Sequence, residues 1–60
     1  MDKYYIESRY HQAALEYRTA ATVPERNQAT DEMARLEQIA AQQFGFDYAD
    51  MLHVSEWGMQ

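Results

Sequence analysis

The sequence predicts an all-α protein: an antiparallel helical hairpin with a short C-terminal third helix, expected to dimerise into a helical bundle. Three observations lead there. Apolar residues recur at spacings of three and four, the period of one helix face. The 60-residue chain has one proline and two glycines, and all three fall where helices would begin or end. No strand alternation, internal repeat or low-complexity segment competes with that pattern.

The first helix, about residues 2–20, begins at Asp2, a residue type that caps helix N-termini by accepting an amide hydrogen bond. Met1 and Ile6 stand at the two positions of a hydrophobic staple. Ile6, Tyr10, Ala13, Ala14, Tyr17, Ala20 and Ala21 then form an apolar stripe, opposite Ser8, Arg9, Gln12, Glu16 and Thr19. The stretch TATVPE breaks the helix, because Pro24 drives Val23 out of helical geometry and removes an amide donor. Thr22 and Glu25 have capping-box spacing and open a second helix over about 23–44. Its inner face reads Ala29, Met33, Leu36, Ile39, Ala40 and Phe44, and Asp31 and Arg35 form an i,i+4 pair outside.

Gly45 is the expected stop, with Phe46 folding back over Ala40 and Ala41. Asp47 is expected to cap a third helix over about 47–57, with Phe46 and Met51 at staple spacing and Gly58 at its end. Two long helices joined by a short turn make a hairpin with one apolar seam. The third helix can cover that seam within the chain, or a second hairpin can cover it in a dimer, and the two are not exclusive. Five tyrosines in so small a chain predict half-buried sites, since a buried phenol needs a hydrogen-bond partner.

Composition bounds the function. A chain of this length buries only about 60% of the surface it exposes when unfolded. Small domains therefore lean on disulfides, metals or partners. With no cysteine, disulfides and thiolate metal sites are excluded, which leaves oligomerisation. Ten acidic against five basic residues give a net charge of −5. Lys3 is the only lysine, and Arg9, Arg18, Arg26 and Arg35 are spread singly. Phosphate neutralisation needs clustered cations, so direct nucleic-acid binding and attachment to an anionic membrane are disfavoured. No apolar run reaches membrane-spanning length, and MDKYYIESRY has no signal-like core. The expected location is cytoplasmic.

Chemistry-bearing groups are few. Glu7 and His11 lie one turn apart and suit a metal or a shared proton, but a surface pair beside Leu15 is the preferred reading. Asp50, His53 and Glu56 recur every three residues. Such a set tempts a metal reading, but structural zinc closes with four ligands, mostly Cys and His, so none is assigned. There is no phosphate-binding glycine loop or zinc-protease motif. Ser8 and Ser55, the only serines, lie in no nucleophile elbow. No catalytic residue and no cofactor is assigned.

The C-terminal stretch FGFDYADMLHVSEWGMQ holds half of the aromatic residues. Met33 and Met51 read as core filling, whereas Tyr48, Trp57 and Met59 read as partner-binding, because tryptophan is a frequent interface anchor and methionine an adaptable one. The expected function is that of a small non-catalytic interaction or regulatory protein acting through helix–helix contacts, with another protein as partner. The alternative is an acidic inhibitor that mimics nucleic acid and blocks a basic groove, with Asp31, Glu32, Glu37, Asp47, Asp50 and Glu56 as its charges.

Overall fold

The computed structural model describes residues 2–58. They form three helices, α1 (Lys3–Thr19), α2 (Val23–Phe44) and α3 (Phe46–Trp57), with no strand among the described residues. Asp2 caps α1, its Oδ1 accepting the Tyr5 amide at 2.8 Å. Met1, the other half of the expected staple, lies outside the described residues.

Thr22 caps α2 by accepting the Glu25 amide at 3.3 Å. The return bond of the capping box is displaced by one residue: Glu25 Oε1 accepts the Ala21 amide at 3.0 Å. Pro24 sits inside the first turn, where a missing N–H has no consequence because that amide would lack an intrahelical partner anyway.

At Gly45 the structure departs from expectation. One residue serves as C-cap of α2 and N-cap of α3, with φ 98° and ψ 163°. Its N–H donates to Ala41 O at 3.0 Å, and its carbonyl accepts the Ala49 amide at 3.3 Å. The chain turns so sharply that α3 starts at Phe46, and Asp47 lies within the first turn rather than capping it. There its charge still meets the positive end of the helix dipole. Phe46, expected over Ala40 and Ala41, is 79% exposed, and Met51 is exposed too. The ring that packs against the corner is Tyr48, edge-on to Phe44 at 5.3 Å.

The core forms where the three helices meet. Ile6, Tyr10, Ala13 and Ala14 of α1 face Met33, Leu36 and Ala40 of α2, and Tyr48, Ala49 and Leu52 of α3 complete the cluster. Thus α3 covers the hairpin seam within one chain. It lies mainly along α2 and touches α1 far less. Among the described residues, no helix is long and apolar enough to cross a membrane.

Candidate protein-interaction site

Burying a phenol is tolerable only when its hydroxyl finds a partner, and the two buried tyrosines each find a glutamate on a neighbouring helix. Tyr10, at the centre of the core, donates to Glu37 Oε2 on α2 and accepts the Trp57 indole N–H at 3.3 Å from α3. Burial and the Glu37 hydrogen bond push its hydroxyl well above the ordinary phenol range, with the Trp57 bond acting in the opposite sense. Tyr48 donates to Glu7 Oε2 of α1 at 2.9 Å and lies 3.3 Å from Lys3 O. Its pKa is pushed up to about 12 by burial, then by Glu7.

The C-terminal end of α3 is held by charge. Glu56 Oε2 lies 2.6 Å from His11 Nδ1, and Glu56 Oε1 lies 3.3 Å from Arg18 Nη1. Arg18 Nη2 also donates to Glu56 O at 2.6 Å, and its guanidinium sits 5.0 Å from the centre of the Trp57 ring. Trp57 in turn meets Tyr17 edge-on at 5.6 Å. On the α2 side, His53 Nδ1 lies 3.3 Å from Glu37 Oε2.

The fold therefore separates the pairs that sequence spacing suggests. Glu7 turns to Tyr48 and His11 to Glu56, rather than to each other. Of Asp50, His53 and Glu56, the last two engage different helices. Among the described residues, no group of three or more His, Cys, Asp or Glu could hold a metal ion. Arg35 pairs with Glu32 rather than Asp31, and Arg9 reaches the same carboxylate at 3.4 Å. The hydrogen bond from Arg35, helped by Arg9 and opposed by partial burial, holds Glu32 below the usual carboxylate range.

Between α2 and α3, with Tyr10 and Tyr17 of α1 also lining it, a groove of about 370 Å³ remains open. Tyr17, Met33, Ala34 and Trp57 supply apolar lining, and Tyr10, Glu37 and His53 meet at its polar part. Of the partner-binding candidates among the described residues, Trp57 lines this groove and is half-buried. Tyr48, expected on a partner surface, is 8% exposed because its ring closes the core and its hydroxyl is satisfied by Glu7. Met59 lies outside the described residues. Sequence reasoning does not bring Tyr17, Ala34 and Glu37 together with Trp57 because Tyr17 lies on α1, Ala34 and Glu37 on α2 and Trp57 on α3. Thr30, Ala34 and Glu37 do share one helical stripe beside the core face of α2.

Comparison with known protein families, curated proteins and solved structures finds no match to this chain.

Proposed function

We propose that this chain is a small non-catalytic interaction protein that binds another protein through helix–helix contacts. The observation that carries the reading is the α2–α3 groove, where Met33, Ala34, Tyr17 and Trp57 leave an apolar channel beside an otherwise closed core. Antiparallel helices that leave such a channel accept a further helix with the packing of a bundle. Trp57 is the anchor on the α3 wall, and Tyr48 serves by holding α3 in place. Large apolar side chains at Tyr4, Val23 and Phe46 are also exposed, and they support self-association into a cytoplasmic homodimer as part of the same proposal.

The alternative, an acidic mimic of nucleic acid, draws less support. Glu32 is already engaged by Arg9 and Arg35, and Glu56 by His11 and Arg18. An array of phosphate-like charges needs its carboxylates free.

The test is a selection from a displayed library of helical peptides, with the Ala34→Arg variant as counter-selection. Ala34 is exposed, so arginine there fills the groove without entering the core. Sedimentation of both proteins over a wide concentration range is run beside it. Peptides that bind the parent and not the variant, or a dimer that the variant dissociates, support the reading. No groove-dependent binder of either kind would sink it.

A further inference from the structure

The groove has a chemical polarity, and that polarity selects its occupant. At one end Arg26 lies 5.8 Å from the Tyr17 ring centre and Arg18 lies 5.0 Å from that of Trp57. These guanidinium groups already use the aromatic faces there and repel a further cation. At the other end stands Glu37, partly exposed. Both of its hydrogen bonds, to Tyr10 and His53, fall on Oε2. Among the described residues no bond is made by Oε1, which keeps its acceptor capacity for a donor from outside.

We propose that the α2–α3 groove takes an amphipathic helix that lays an apolar side chain over Met33 and Ala34 and sets a lysine or arginine against Glu37. This rests on the interaction reading above and specifies the partner's chemistry. The apolar walls lower the local dielectric, which strengthens a pairing made beside them. The net charge of −5 draws a basic segment toward the surface before contact. A partner carrying a carboxylate at that position would face Glu37 with a like charge and an unmet desolvation cost. Methionine suits the floor, since Met33 can adjust to whichever apolar side chain arrives. The larger cleft of about 840 Å³ on the opposite side of α2 is a poorer candidate. There Glu32 is already engaged by both Arg9 and Arg35.

The experiment uses the full chain and its single tryptophan, Trp57, as reporter. Two capped helical peptides of about four turns (~14 residues) share one leucine pattern, with lysine on the polar face of one and glutamate on the other. At physiological salt the Leu/Lys peptide is expected to shift Trp57 emission saturably, and the Leu/Glu peptide is expected to bind at least tenfold more weakly. Ala34→Arg should abolish binding. Glu37→Gln, which preserves an acceptor for Tyr10, should weaken it about tenfold, the loss typical of one charge-assisted pair. Glu16→Gln, on the exposed side of α1, should leave it unchanged. Helix circular dichroism checks each variant for folding.

Absence of Leu/Lys binding overturns the proposal. So does equal weakening by Glu16→Gln and Glu37→Gln, which would mean diffuse attraction. If both peptides bind equally and Ala34→Arg blocks both, the charge assignment falls while the interaction reading stands. Failure of these peptides together with an empty library selection brings down both.

Discussion

Between α1 and α2 the contact surface is made mainly of Ile6, Ala13, Ala14, Met33, Leu36 and Ala40, small and aliphatic groups that allow close helix approach, with the Tyr10–Glu37 hydrogen bond beside them. Between α3 and α1 the ties are instead Tyr48 to Glu7, His11 to Glu56 and Arg18 to Glu56. The first seam is driven by removing apolar surface from water, at about 25 cal/mol per Å². The second depends on directional bonds between side chains 38 to 45 residues apart in sequence, each worth about 1 kcal/mol or less where exposed. The difference teaches that one domain can close its hairpin mainly by apolar packing while its third helix, an arm packed mainly along α2, meets α1 through polar ties, and the open groove runs beside that arm.

The comparison breaks most directly at Leu36, which is 2% exposed. Leu36→Ala should cost about 2–5 kcal/mol through lost burial and the cavity left behind. In a domain this small, that is expected to abolish the urea transition seen by circular dichroism. Retention of a cooperative transition would show that the hairpin seam is not the main source of stability.

Gly45→Ala acts on the joint between the two regions. A Cβ at Gly45 meets nothing within 4 Å, so the cost is conformational alone. A residue at φ 98° with extended ψ lies in a region open essentially to glycine, and strain there costs about 1–3 kcal/mol. We expect the denaturation midpoint to fall, with Trp57 emission reporting displacement of α3. An unchanged midpoint would mean the corner relaxes without penalty.

The tether itself gives the smallest effect. Tyr48→Phe removes the bond to Glu7 and should cost about 1 kcal/mol, with Glu7 left free to hydrate. The same hydroxyl makes the arm sensitive to alkali. A phenol whose folded pKa is about 12, against about 10 when unfolded, holds its proton more tightly in the folded state. Its contribution is therefore complete below pH about 10 and is lost as pH rises toward 12, because the unfolded chain ionises first. Tyr10 shifts in the same direction. Part of the tyrosinate absorbance should thus appear only as helix signal is lost, and Tyr48→Phe should reduce that late fraction. Simultaneous early ionisation of all the tyrosines would contradict the buried Tyr–Glu pairs.

Much of the backbone was legible because its signals are local. Asp2 and Thr22 cap their helices by bonds to residues three positions on, and Ile6, Tyr10, Ala13 and Ala14 keep the helical period of a buried face. Where a local signal had two local solutions, the reading went astray. FGFD fits a cap at Asp47 as well as a one-residue corner at Gly45, and only the path of the whole chain selects between them. That choice carried Phe46 outward and Tyr48 inward.

What the sequence by itself determined, then, is the all-helical class, the hairpin and most of its apolar stripe, Ala21 and Phe44 being exposed instead, since periodicity and capping act over one or two turns. The tertiary structure alone decided which glutamate each tyrosine and histidine meets, that α3 covers the seam within the same chain, and where a groove stays open. Those outcomes depend on three-dimensional proximity between helices: a hydroxyl must come within about 3 Å of its acceptor, and no spacing along one helix encodes which residue of another will be there.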